Sequence, residues 1–138
     1  MSIPITGIHH VRLTVRDIER SRAFYDAVFA LPVAFELPPD ADAATRDQLG
    51  FLFGGVIYAV PGGLLGLRPV AAEDDRFDED RVGLDHVSFQ VASVQALRDA
   101  AVTLDGLGVT HSGVRDIGAG AILEFRDPDG MALEIYAQ

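Results

Sequence analysis

The 138-residue chain has no cysteine. Disulfides, thiolate metal sites and cysteine nucleophiles are therefore excluded, and any metal must be held by nitrogen and oxygen. Positive charge is also scarce. Eleven Lys and Arg stand against 21 Asp and Glu, for a formal net charge of -10 and a pI near 4.6. Nucleic-acid surfaces are built from Lys and Arg, so no nucleic-acid partner is expected. A cationic ligand is compatible with this balance, although acidity on this scale commonly serves solubility. No apolar run approaches the roughly 20 residues that span a bilayer. Met1-Ser2-Ile3-Pro4-Ile5-Thr6 lacks the basic-then-apolar pattern of a secretory leader. The expectation is a cytoplasmic protein with no membrane partner.

What is present is an ordinary globular composition, 49% hydrophobic and 23% charged. The length suits one compact domain or two small fused modules, with roughly two-thirds of the unfolded surface buried on folding.

The chain repeats itself. Gly7-Ile8-His9-His10-Val11-Arg12-Leu13-Thr14-Val15 aligns with Gly83-Leu84-Asp85-His86-Val87-Ser88-Phe89-Gln90-Val91 at one offset of 76. In each copy apolar residues alternate, Val11, Leu13 and Val15 in the first and Val87, Phe89 and Val91 in the second. That is a strand with one buried face. A helix start follows each strand, at Asp17 and at Ser93, both good N-cap residues. Ile18, Ser21, Phe24, Tyr25, Val28 and Phe29 then recur at helical spacing, as do Val94, Leu97, Ala100, Ala101 and Leu104. Phe24, Tyr25, Phe29 and Phe89 read as core.

Leu31-Pro32 and Gly106-Leu107-Gly108 end the helices. Three strands are then expected in each copy: Val33 to Leu37, Val56 to Val60 and Leu64 to Val70, and later Val109 to Val114, Ala121 to Arg126 and Met131 to Ala137. Ala41 to Phe53 reads equally as a short amphipathic helix or as strand. Asp127-Pro128-Asp129-Gly130 is a strong turn. The predicted organisation is a first βαβββ module over 1–72, an acidic linker over 73–82 and a second βαβββ module over 83–138, together one α+β domain. The linker carboxylates lack calcium-loop spacing and read as a solvated connector.

His10 shares a strand face with Arg12 and Thr14, and His86 shares one with Ser88 and Gln90. Two such polar faces meeting about a pseudo-twofold axis would form a cleft lined by both histidines. Glu134 stands in the otherwise apolar Met131-Ala132-Leu133-Glu134-Ile135-Tyr136, where a buried carboxylate needs a compensating charge. A metal would supply it. Two imidazoles and a carboxylate suit iron(II) or manganese, with zinc, nickel and cobalt also compatible, and leave about three octahedral sites open. Arg12 and Arg68 are candidates for a substrate carboxylate or phosphate. Ser88 and Gln90 are candidate ligand-orienting groups, and Tyr136 a candidate proton donor.

These segments resemble the vicinal-oxygen-chelate superfamily, which includes glyoxalases, extradiol dioxygenases, fosfomycin-resistance proteins and bleomycin-binding proteins. The resemblance is carried by His10 through Asp17 with Ser21 and Phe24-Tyr25, by His86 through Val91, and by Asp127-Pro128-Asp129-Gly130 through Glu134. It implies paired βαβββ modules with curled sheets around one metal cleft, a homodimer, and His10, His86 and Glu134 as ligands of a divalent metal. It also implies either an enzyme acting on a small oxygenated substrate, with dioxygenase-type chemistry favoured over lyase or isomerase chemistry, or a non-catalytic protein that sequesters a drug or metabolite.

His9 competes with His10, but the match to His86 and the placement seven residues before Asp17 favour His10. The chain departs from the glyoxalase pattern at the fourth ligand. Ala59 through Ala72 holds no Glu, Asp, His or Gln, and Gly66 or Leu67 falls at that position. It departs from the extradiol pattern too, because Val114 through Phe125 holds neither His nor Tyr. His111 is the remaining acid–base candidate.

Overall fold

A computed structural model describes residues 1–138 as two compact units, Met1–Glu73 and Asp74–Gln138. Each is a βαβββ module with a four-stranded mixed sheet, so the class is α+β. The first contains β1 (His10–Thr14), α1 (Ile18–Phe29), β2 (Val33–Glu36), α2 (Ala43–Gln48), β3 (Val56–Val60) and β4 (Gly63–Arg68). The second contains β5 (Val87–Gln90), α3 (Val94–Gly106), β6 (Arg115–Asp116), β7 (Ala121–Arg126) and β8 (Ala132–Ala137). The sheet orders are β1-β4-β3-β2 and β5-β8-β7-β6, with β1 parallel to β4 and β5 parallel to β8. No helix is long and apolar enough to cross a membrane.

The helices begin where their caps dictate. The carboxylate of Asp17 accepts from the backbone N–H of Arg20 at 3.1 Å, and the hydroxyl of Ser93 accepts from that of Ala96 at 3.1 Å. α1 ends at Ala30, whose φ of 49° is left-handed and whose N–H donates to the Asp26 carbonyl. The helices bury Ser21 and Tyr25, then Leu97 and Leu104, while Phe24, Phe29 and Phe89 are only half-buried. The alternating strands bury the other layer: Leu13, Val15, Val56, Tyr58, Leu65 and Leu67 in the first unit, and Leu123, Phe125, Leu133 and Ile135 in the second. Each large apolar side chain taken from water adds about 1.5–3 kcal/mol. That one-sided burial leaves the opposite face of each sheet uncovered by its own helix.

Two segments are settled by local chemistry. In Ala41 to Phe53 the carboxylate of Asp42 caps Thr45 at 2.8 Å and starts α2, after which Gly50–Leu52 forms one 3-10 turn. The strand expected over Val109 to Val114 does not form. Gly108 and Gly113 take φ of 70° and 73°, which breaks an extended run. Ser112 also answers Glu124 with its side chain, the Ser112 hydroxyl accepting from the Glu124 N–H at 3.0 Å. Only an isolated bridge, His111 to Phe125, remains before the two-residue β6.

Residues 74–82 pack with the second unit. The N–H of Phe77 donates to the Asp129 carbonyl at 3.1 Å, and Arg126 pairs with Glu79, whose carboxyl it pulls down to about 2.

Candidate functional site

Glu134 lies on β8 beside Ser88 of β5, its registered neighbour. The Ser88 hydroxyl donates to Glu134 Oε1 at 2.7 Å, and His86 Nε2 faces Glu134 Oε2 at 3.8 Å. Glu134 is the more enclosed partner, with 14% of its side chain exposed against 44% for His86. His86 stands one residue before β5 rather than within it. Its Nδ1 meets Asp85 Oδ1 at 2.5 Å, which leaves Nε2 for the Glu134 side. That bond raises the His86 pKa; desolvation opposes it, and the charges of Glu134, Asp85 and Glu124 reinforce it.

The arrangement suits a metal ion on chemical grounds. Two neighbouring donors held about 2.1 Å from one ion stand roughly 3 to 3.4 Å apart, so the 3.8 Å pair must close by about half an ångström to share one. A carboxylate on His86 Nδ1 and a hydroxyl on Glu134 are the kind of outer partners that orient ligands. No three His, Asp or Glu side chains stand together as a metal-holding group, so His86 and Glu134 form a pair and not a complete set.

The pair opens into a cavity of about 310 Å³ that His111, Glu124 and Arg126 also line. His111 is half-buried there. Its Nδ1 accepts from the Gly113 N–H at 3.0 Å, so its proton resides on Nε2, which faces Asp105 at 3.0 Å. Tyr136 is tied elsewhere, its hydroxyl donating to the Ala119 carbonyl at 2.6 Å. Gln90 is exposed beside it in register.

Glu124 was not singled out from the sequence. It stands directly across from Glu134 in the β7–β8 hairpin, and such like-charged pairs need compensation. Arg115 pairs with Glu124. The clue was the Asp127-to-Gly130 turn, because a hairpin folded about residue 129 sets 124 opposite 134. Asp127 builds that turn, its carboxylate accepting from the N–H groups of Asp129 and Met131 at 2.9 Å.

In the first unit His10 opens β1, and its Nδ1 meets His9 Nδ1 at 2.8 Å. Arg12 registers with Gly66 as Ser88 registers with Glu134. Arg12 and Ser88 are repeat mates, so Gly66 and not Leu67 is the counterpart of Glu134. The Arg12 side chain lies across that glycine: a Cβ on Gly66 would sit 2.9 Å from Arg12 Cγ. A cavity of about 270 Å³ opens here between His10, Arg12, Phe35, Phe51, Ile57 and Leu64. Arg68 registers with Thr14 and leans on the Phe53 ring, its guanidinium carbon 4.3 Å from the centroid.

The model of the Glyoxalase/Bleomycin resistance protein/Dioxygenase superfamily matches residues 7–135. A glyoxylase/bleomycin resistance protein/dioxygenase domain from Frankia sp. EAN1pec is 30% identical, with a TM-score of 0.75 over 96% of this chain and 92% of its own. Two more distant structures share the fold. A lactoylglutathione lyase from Agrobacterium tumefaciens is 19% identical (TM-score 0.69, 98% of this chain and 96% of that one). The fosfomycin resistance protein FosX from Listeria monocytogenes, solved with Mn(II), is 18% identical (TM-score 0.68, 96% and 90%). No curated protein matches the chain. With the family model spanning nearly all of it, the chain belongs to the Glyoxalase/Bleomycin resistance protein/Dioxygenase superfamily.

Proposed function

We propose that the protein is a divalent-metal-dependent enzyme acting on a small oxygenated organic molecule, with His10, His86 and Glu134 as ligands. The carrying observation is the supported pair in the second unit: Glu134 held by Ser88, and His86 held by Asp85 with its Nε2 turned toward Glu134. Both members of the pair are oriented by outer partners, as the ligands of a metal are. The Mn(II) in the Listeria FosX structure supports a divalent ion of the hard-to-borderline kind, with Fe(II) or Mn(II) favoured for an N2O set and Zn, Ni or Co also compatible.

Such an ion, held by these three residues, would supply Lewis acidity or a centre for dioxygen chemistry. This chain's residues orient it and the substrate. Ser88 and Asp85 hold Glu134 and His86 in place. His111, the other imidazole lining the 310 Å³ cavity, is assigned the proton-handling role, which requires its Nδ1 contact with the Gly113 N–H or its Nε2 contact with Asp105 to open. Tyr136 serves that role only if its bond to the Ala119 carbonyl opens. Gly66 at the fourth-ligand counterpart turns the reading away from four-ligand glyoxalase chemistry and toward a three-ligand, dioxygenase-type site.

The test is metal analysis of protein purified without added metal, followed by oxygen uptake with catechols and related phenols. One equivalent of iron or manganese with uptake supports dioxygenase-type chemistry. A zinc or nickel protein without uptake redirects it to lyase or isomerase chemistry. Absence of any bound metal, with tight ligand binding unaffected by chelator, makes the protein a sequestering module instead. The proposed soluble homodimer is checked by light scattering.

A further inference from the structure

Arg12 on β1 and Arg68 on β4 share one face of the first sheet, their register partners being Gly66 and Thr14. Neither is paired with a carboxylate, in a chain with 21 Asp and Glu. Arg12 makes one hydrogen bond, from Nη2 to the Phe51 carbonyl at 2.6 Å, and its Nε is buried with no partner. An unpartnered buried donor calls for an explanation. The surroundings are apolar and aromatic. The Arg12 guanidinium stands 6.0 Å from the Phe51 centroid, Arg68 leans on Phe53, and Phe35, Phe51 and Phe53 are each about half exposed, at 45%, 47% and 55%. A cavity of about 150 Å³ accepts benzene, so the 270 Å³ beside His10 has room for a ring and a short substituent.

We propose that this cavity takes the body of the substrate, a phenyl-sized apolar group bearing a carboxylate, and that Arg12, with Arg68 behind it, binds that carboxylate. The assignment of the occupant as substrate rests on the metal-enzyme reading, since His10 lines the same cavity. The anion preference does not. Gly66 makes the arrangement: only a residue without a side chain leaves space for Arg12 to cross β4, so the chain has a cation where Glu134 stands in the other module.

The experiment is calorimetric titration of the full-length, metal-stripped protein with benzoate, phenylacetate and 3-phenylpropionate, each against its neutral amide at fixed ionic strength. At least one acid is expected to bind about tenfold or more tightly than its amide. Arg12→Gln is expected to erase that preference, Arg68→Gln to reduce it, and Arg12→Lys to retain part of it, with circular dichroism confirming each fold. Equal affinity of every acid and amide, no binding of any acid at 10 mM, or a preference unchanged in Arg12→Gln would overturn the inference. Metal analysis of the same unsubstituted protein, before stripping, separates the two readings. A preserved preference in a protein that binds no metal sinks only the metal reading, whereas full metal loading without the preference sinks only this one.

Discussion

Arg12 and Ser88 hold the same place in two modules of one plan, yet one lies across a glycine and the other holds a glutamate. The strand orders and the parallel pairings are the same. The polar sheet faces are not. The first carries two uncompensated arginines with aromatic rings, the rings of Phe51 and Phe53 delivered by the 3-10 turn that follows α2. The second carries Glu124 and Glu134 side by side, steadied by Arg115, Ser88 and His86. The two modules share a backbone plan and a histidine; the residues next to it differ, giving a cation-rich, ring-lined face in one and a carboxylate-rich face in the other. On the proposed reading, the second module supplies His86 and Glu134 to the metal, and the first, besides His10, supplies the groups that hold the organic ligand.

The largest expected effect breaks that division from the second side. Glu134→Gln or His86→Ala is expected to take bound metal from about one equivalent to near zero. Activity should fall by more than about 100-fold, beyond the 10–100-fold typical of outer-shell changes. Arg12→Gln should leave the metal content intact. Elemental analysis of all three proteins decides; metal lost from Arg12→Gln as readily as from Glu134→Gln would end the comparison.

The next effect tests the exchange at Gly66. An alanine there brings a Cβ to 2.9 Å of Arg12 Cγ, so Gly66→Ala is expected to cost about 1–3 kcal/mol. Arg12→Ser clears the space, and the double variant should recover at least about 0.5 kcal/mol of that loss in a double-mutant cycle by urea denaturation. Additive behaviour would show that Arg12 does not need the glycine.

Much of this was readable from the chain because the signals are local. Alternation exposed β1 and β5, Asp17 and Ser93 marked the helix starts, and the offset of 76 paired His10 with His86. What escaped depends on register or on competition. Glu124 becomes significant only once the hairpin aligns it with Glu134, and Arg12 over Gly66 only once β1 lies parallel to β4. Val109 to Val114 has strand-like composition, but Gly108 and Gly113 turn the backbone and the Ser112 side chain takes a ladder position. The cation pair ran against the net charge of -10, a reminder that global charge does not describe a local surface.

A smaller effect concerns orientation alone. Ser88→Ala removes the hydroxyl on Glu134 Oε1 without touching a ligand, and should weaken metal affinity by about tenfold, at the low end for outer partners. Competition against a fluorescent chelator measures it. Affinity equal to the parent would show that Glu134 is positioned by β8 alone.

The smallest effect lies at the edge of the carboxylate-rich module, where Arg126 holds Glu79 and so ties residues 74–82 to β7. Its partner depresses the Glu79 carboxyl from about 4.5 to about 2. The folded form therefore binds that proton less readily than the unfolded chain. The contribution is complete above about pH 4.5 and disappears as the pH falls through about 2. Glu79→Gln should accordingly lower the urea midpoint slightly at pH 7, less at pH 3, and least of all near pH 2. Because the pair is exposed, 0.5 M salt should shrink the pH 7 difference as well. A midpoint difference that grows on acidification would mean that Glu79 acts through something other than its charge on Arg126.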